Sequence, residues 1–177
     1  MNDSDRIRVL ELLRLGSSAL EESVLGIEPA EAALRPAGRG WTIAEIVEHV
    51  AAAEEQMHTA LTTRYRELPE AIHNAEKEHA ITQSAPDRSR KFISPEVSRP
   101  AGRFDSLAAA LAHFRSCRAR TVAYVEQCQD DLRRRTVKHP IAGVVTGYEY
   151  LLILALHPAR HAAQIRERRQ GLSKAQG

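Results

Sequence analysis

The 177-residue sequence contains few cysteines and no long apolar run. Its two cysteines, Cys117 and Cys128, lie on one predicted helix about 16 Å apart along its axis, so they cannot bond to each other. The longest apolar stretch, LLILAL at 151–156, is far too short to cross a bilayer, and the N-terminus has no apolar signal segment. We therefore expect a cytoplasmic protein that does not enter the membrane, with both thiols unpaired and buried.

The sequence also lacks a strong charge of either sign and has few aromatic residues. It contains 25 Lys and Arg against 23 Asp and Glu, which gives a formal net charge of +2. Its one Trp, four Tyr and three Phe do not alternate with basic residues, so we expect no nucleic-acid partner. A Gly-rich phosphate loop, a G-x-S-x-G motif and paired cysteine ligands are missing as well.

Helical periodicity dominates the sequence. The first apolar stripe has spacings of three and four residues and consists of Leu10, Leu13, Ser17, Leu20 and Val24. Capping boxes, Thr42 with Glu45 and Thr146 with Glu149, mark the starts of the second and fourth helices. As a strand, the apolar run at 151–156 would have no partner, because no other segment alternates apolar and polar residues with a period of two. We therefore expect no strand. We predict an all-α four-helix bundle, one domain over residues 1–177.

A long connection joins the second and third predicted helices. Residues 65–104 hold four of the eight prolines, which predicts a crossover with at most one short helical stretch. We interpret it as a crossover within the bundle and not as a domain boundary.

A histidine pair in the fourth helix has the spacing of metal ligands. His157 and His161 are four residues apart and continue an apolar stripe, so both imidazoles can reach one point. His49 borders the core stripe of the second helix. Three imidazoles from two facing helices resemble a catalytic-type zinc site with an open position, although imidazoles also suit nickel, copper or iron. Pro158 predicts a kink or a break between the two histidines.

Arg118 lies in the middle of the apolar stripe of the third helix and needs a partner if it is buried. It is a candidate anchor for an anionic group of the substrate. The alternative is an internal ion pair with a glutamate such as Glu45, or a stem that reaches solvent. Four other histidines are expected to take no part in chemistry: His58, His73, His79 and His139. His139 lies either in a loop or at the mouth of the site.

Several segments together resemble the DinB-like superfamily of bacterial four-helix bundles. They are GWTIAEIVEHVAAAE, SPEVSRPAGRF, FRSCRARTVAYV and HPIAGVVTGYEYLLILALHPARHAAQI, and they span nearly the whole chain. The most specific parts are the histidine of helix two and the H-x-x-x-H-x-x-Q-I segment. The resemblance implies that His49, His157 and His161 bind a divalent metal, usually zinc or nickel. The proline within the histidine pair departs from the family pattern.

The resemblance also implies what such a protein does. The superfamily includes transferases that use small thiols such as bacillithiol or mycothiol, and a thiol-dependent maleylpyruvate isomerase. We therefore expect a metal-dependent enzyme with a small-molecule substrate, either a small-thiol S-transferase or a hydrolase, that forms a homodimer. The alternative is a non-catalytic bundle that serves in metal binding or assembly.

Overall fold

Four long helices dominate the computed structural model, which describes residues 1–35 and 40–175. Part of the turn-rich segment before the second long helix, and the last two residues of the predicted domain, lie outside the described residues. The helices are α1 Asp3–Val24, α2 Pro29–Ala33, α3 Ile43–Thr63, α4 Ala75–Ser84, α5 Leu107–Gln127 and α6 Gly147–Ala175. Helix α1 packs against α5 and α6, and α3 packs against the same two helices. This ring of contacts confirms the predicted four-helix bundle.

Both predicted capping boxes form. The Thr42 hydroxyl accepts a hydrogen bond from the Glu45 backbone N–H, and the Glu45 carboxylate accepts one from the Thr42 N–H. Thr146 and Glu149 make the same reciprocal pair at the start of α6. Each box satisfies backbone donors that a helix N-terminus leaves without a partner, which fixes where the two helices carrying the histidines begin.

The structure also contains a small antiparallel sheet, so the expectation of no strand was wrong. Its strands are β1 Tyr65–Glu67, β2 Arg135–His139 and β3 Gly143–Thr146, in the order β1-β2-β3. Val137 pairs with Val145, and both side chains are buried. Strands of three to five residues are too short to reveal an alternating pattern, yet β2 pairs with a strand on each side, which satisfies the backbone groups that face each other.

The crossover between α3 and α5 contains one short α-helix, α4, as predicted, and a 3-10 turn at Glu96–Ser98. Its last part is attached to α3 through Glu48. The buried Glu48 carboxylate accepts hydrogen bonds from the backbone N–H groups of Ala101 and Arg103, at 2.7 and 3.0 Å, and of Gly102 at 3.3 Å. The crossover is therefore anchored to α3 by Glu48, the residue that precedes His49.

Helix α6 is apolar on every side at its start because other elements surround it there. It contacts α1, α3, α4, β2 and β3. Tyr148, Leu151, Leu152 and Leu154 are essentially inaccessible to solvent. Such a run has no polar face, in contrast to an ordinary surface helix. None of the described helices is long and apolar enough to cross a membrane.

Helix α6 continues without a break through Pro158, so of the two predicted outcomes a break is excluded. Proline has no N–H for the carbonyl four residues earlier, which here belongs to Leu154. The Arg118 guanidinium lies 3.4 Å from that carbonyl and donates a hydrogen bond to it. Helix α1 passes very close to α6 at this level, because Gly16 faces the backbone of Ala155.

We predict that Gly16→Ala destabilises the bundle. A Cβ at this position would lie 2.2 Å from the Ala155 carbonyl oxygen, so α1 and α6 would have to separate. The free energy of unfolding should fall by about 1–3 kcal/mol, the usual effect of overpacking, in a urea titration. Gly171→Ala in α6 is the control, since no described atom lies within 4 Å of its added Cβ. That variant should be unchanged or more stable by up to about 1 kcal/mol, and equal losses in both would contradict the prediction.

Candidate metal centre

The structure brings His49, His157 and His161 together between α3 and α6. One nitrogen from each ring lies within 4.8 Å of the corresponding nitrogens of the other two. The Nε2 atoms of His157 and His161 are 3.1 Å apart, and the His49 ring centroid lies 5.2 and 4.7 Å from those of His157 and His161. His49 and His161 are buried, whereas His157 is half-buried. The three rings therefore surround one point between the two helices.

Hydrogen bonds fix which nitrogen of two rings faces that point. His49 Nδ1 lies 2.7 Å from the Ser98 carbonyl oxygen, which can only accept, so this nitrogen donates and Nε2 keeps its lone pair. His161 Nδ1 likewise donates to the Gln164 side-chain oxygen at 2.8 Å. Metal-binding histidines typically donate their second N–H to a carbonyl or carboxylate in this way. Gln164, which follows His161 in the same helical stripe, therefore has an orienting role.

Burial keeps the three imidazoles uncharged. It lowers the pKa of His49, and the hydrogen bond to Ser98 offsets part of that shift. Burial also lowers the pKa of His157 well below its ordinary value, with a further contribution from the other two rings. The pKa of His161 falls to about 3, mainly through burial and then through repulsion from His49, despite the opposing bond to Gln164. All three rings can therefore offer lone pairs at neutral pH.

The crossover forms the wall of the site on the His49 side. In addition to the Ser98 carbonyl, the Ser94 hydroxyl lies 3.3 Å from His49 Nδ1 and 3.2 Å from the Ser98 hydroxyl. Sequence reasoning did not identify Ser94 or Ser98. Ser98 contacts His49 through its backbone carbonyl, which any residue could supply. The identity of its side chain therefore does not indicate this contact in the sequence.

Arg118 does not face the triad with a free guanidinium. It is buried and donates to the Glu54 carboxylate at 2.8 Å and to the Leu13 carbonyl at 3.2 Å, besides the Leu154 carbonyl. The geometry favours the ion-pair alternative over the predicted role as a substrate anchor. Its partner is Glu54 and not Glu45, because Glu45 caps the start of α3. Burial raises the pKa of Glu54, and Arg118 opposes that shift.

The other histidines fall outside the triad. His73 and His79 are exposed in the crossover, as expected. His58 is half-buried and faces α5, where its Nδ1 lies 3.3 Å from the Thr121 hydroxyl. His139 ends β2, and its Nδ1 accepts from the backbone N–H groups of the following turn. Its ring lies 5.6 Å from that of Tyr150.

Both cysteines are buried and unpaired, as predicted. The Cys117 thiol lies 3.4 Å from a ring nitrogen of His113, but burial is the main cause of a raised pKa for this thiol. A raised pKa disfavours the thiolate, which is the nucleophilic form. Neither cysteine belongs to the histidine cluster.

Comparison with known proteins assigns the chain to a family. Residues 12–165 match the model of the DinB superfamily, so the chain belongs to that superfamily, as the resemblance had indicated. Uncharacterized protein YuaE of Bacillus subtilis (strain 168) is 22% identical over 141 residues, which cover 80% of this chain and 85% of YuaE.

A solved structure is similar over nearly the whole chain. YfiT from Bacillus subtilis, described as a probable metal-dependent hydrolase with an unusual four-helix bundle topology, superposes with a TM-score of 0.61. The alignment covers 98% of this chain and 90% of YfiT at 17% sequence identity. At this identity the likeness establishes the shared fold.

We predict that the metal-free protein loses stability as the pH falls below about 6.5. The pKa of His161 is about 3 in the folded chain, against an ordinary value of 6.5. Between these values the unfolded chain binds more protons than the folded one, so acid favours unfolding. Urea titrations in the presence of a chelator, at about pH 7.5 and about pH 5, should show a smaller loss for His161→Gln than for the wild type. The exposed His79→Gln is the control and should behave as the wild type, whereas an unchanged pH dependence in His161→Gln would contradict the prediction.

Proposed function

We propose that the protein is a metal-dependent enzyme that acts on a small molecule, with His49, His157 and His161 as the metal ligands. The observation that supports this most is the convergence of three uncharged ring nitrogens within 4.8 Å in a buried site. The metal-dependent activity attributed to YfiT, which has the same fold, agrees with this proposal.

The donor set fits a divalent ion. Two nitrogens bound to a tetrahedral zinc ion at about 2.0–2.1 Å are about 3.3 Å from each other, and the Nε2 atoms of His157 and His161 lie 3.1 Å apart. In the described residues the cluster offers three protein ligands. Three ligands leave a position for water or substrate, as in catalytic zinc sites, whereas structural sites have four. Imidazoles suit zinc, nickel, copper and iron, and we propose zinc or nickel because these are the metals that the superfamily usually binds.

The nucleophile of such an enzyme would come from outside the protein. Both cysteines are buried away from the triad, and the chain has no G-x-S-x-G motif. A divalent ion at the triad would supply Lewis-acid activation of water or of a thiol. The chain itself holds the three rings neutral and oriented through Ser98 and Gln164, and α6 and the crossover shield them from bulk water.

Hydrolysis and thiol transfer are the two candidate reactions. The description of YfiT favours a hydrolase. Membership of the DinB superfamily and the lack of a protein nucleophile also fit a small-thiol S-transferase, in which the thiol would be a second cofactor. The alternative is a non-catalytic bundle that serves in metal binding or assembly. A structural metal would need a fourth protein ligand, so the number of ligands disfavours that form of the alternative. We further propose that the chain is one domain and works as a homodimer in the cytoplasm, where unpaired cysteines persist.

We predict that the purified protein, produced without a histidine tag, contains about one divalent metal ion per chain. His49→Ala and His157→Ala should each lose most of it, because two imidazoles bind a divalent ion much more weakly than three. Inductively coupled plasma mass spectrometry measures the metal content directly. His79→Ala is the control and should retain the metal. Full retention in both triad variants, or metal-free wild type after growth and dialysis in zinc and nickel, would overturn the proposed site.

We predict that the metal-loaded protein consumes either an ester or a thiol. Panels of small esters and amides test hydrolysis, and bacillithiol or mycothiol with epoxide and halide electrophiles tests transfer. Activity should disappear in His157→Ala and return only when the histidine is restored. Ester turnover without thiol identifies a hydrolase, and thiol consumption that depends on the electrophile identifies a transferase. A metal-loaded protein inactive in both panels would favour the non-catalytic alternative.

A further inference from the structure

A buried arginine next to the triad has a nitrogen without a partner. Arg160 precedes His161 on α6 and is only 9% exposed. Its Nη2 donates to the backbone carbonyl of Arg90 in the crossover. Its Nη1 is also buried, and no acceptor among the described residues lies within hydrogen-bond distance of it. Leaving a buried charged donor unsatisfied is costly, so such a nitrogen indicates a place for an acceptor that the chain does not supply.

Arg160 lies beside the crossover segment that contacts the triad, and it is not neutralised by a direct ion pair. Its guanidinium faces the ring of Phe92, which lies two residues before Ser94, whose hydroxyl is 3.3 Å from His49 Nδ1. Arg88 is paired with Glu167 through three hydrogen bonds of 2.9–3.0 Å. Within the described part of the chain, no carboxylate lies within ion-pair distance of Arg160, and Asp87 and Glu167 act on it only at longer range. The triad therefore lies beside an excess of positive charge.

An aromatic side chain holds the guanidinium in place. The Arg160 guanidinium carbon lies 5.0 Å from the centre of the Phe92 ring, and that of Arg90 lies 5.5 Å from the same ring. Phe92 and the adjacent Ile93 are 43% and 83% exposed, so they present apolar surface next to these cations. A buried N–H donor beside an apolar aromatic wall suits an organic anion better than a fully hydrated inorganic one.

We infer that Arg160 binds the carboxylate of a small organic substrate whose reacting group faces the three histidines. This inference rests on the proposed function for the reaction, but the anion site depends only on Arg160 and its surroundings. The triad has no carboxylate ligand, so a divalent ion there would add two positive charges to that of Arg160. An anionic substrate reduces this excess of charge, and a neutral one of the same shape does not.

The test compares benzoate with benzamide, which have nearly the same shape but differ in charge. Isothermal titration of the full chain, with and without added zinc, gives the dissociation constants. We expect the wild type to bind benzoate more tightly than benzamide, and Arg160→Gln to weaken benzoate binding by about tenfold or more. Arg160→Lys should recover part of the loss because it keeps the charge. Arg166→Gln is the matched control, since Arg166 is an exposed arginine on the same helix at 4.0 Å from Glu22.

The outcomes separate this inference from the metal proposal. Circular dichroism and metal content are measured on the same samples. Equal benzoate affinity in the wild type and in folded Arg160→Gln, or no preference of the wild type for benzoate over benzamide, overturns the carboxylate site whether or not metal is bound. Benzoate binding that depends on Arg160, in a chain that takes up no metal even after growth and dialysis in zinc and nickel, supports the carboxylate site and rejects the metal site.

Discussion

Three imidazoles can share a buried position only when none of them carries a positive charge. A second positive charge at this distance in a dry interior is strongly unfavourable, which is why burial and mutual repulsion lower the histidine pKa values together. The Ser98 carbonyl and the Gln164 side chain satisfy the outward-facing nitrogens of His49 and His161. Glu48 holds the same crossover from the adjacent position on α3. The site thus depends on the attachment of an irregular segment to a regular helix.

The second histidine-bearing helix depends on a different compensation. Pro158 leaves the Leu154 carbonyl of α6 without its helical hydrogen bond, in the turn that leads into the histidine pair, yet the helix continues. Arg118 donates to the carbonyl that loses its partner, and its charge is balanced by Glu54 across the bundle. Gly16 lets α1 approach the same turn closely. Arg118, Glu54 and Gly16, which come from three other helices, therefore support α6 at the turn 154–158, where the segment with the two histidines begins. This explains why Arg118 is buried in the core.

The features that could be predicted from the sequence are those with a local signature. Helical periodicity, both capping boxes and the i, i+4 histidine pair can each be recognised from residues close together in the sequence. The superfamily resemblance then linked the histidine pair to His49. The sheet could not be predicted because each strand is too short to show its period, and its stability comes from pairing between residues 65–67 and 135–146. The choice of Glu54 over Glu45 as the partner of Arg118 is likewise a matter of tertiary geometry. The same holds for the contact made by the Ser98 backbone carbonyl.

The charge balance of the site bears on what can react there. A structural metal centre usually neutralises its ion with thiolates or carboxylates, but this cluster offers neutral nitrogens only. The charge of a bound ion would then be balanced by an incoming molecule: hydroxide, a thiolate or an anionic substrate. Arg160, which precedes His161 and has a nitrogen without a partner among the described residues, increases the same demand. Such a site, which includes neither cysteine, is better suited to activating an incoming molecule than to stabilising the fold, because the long helices already have a core of their own.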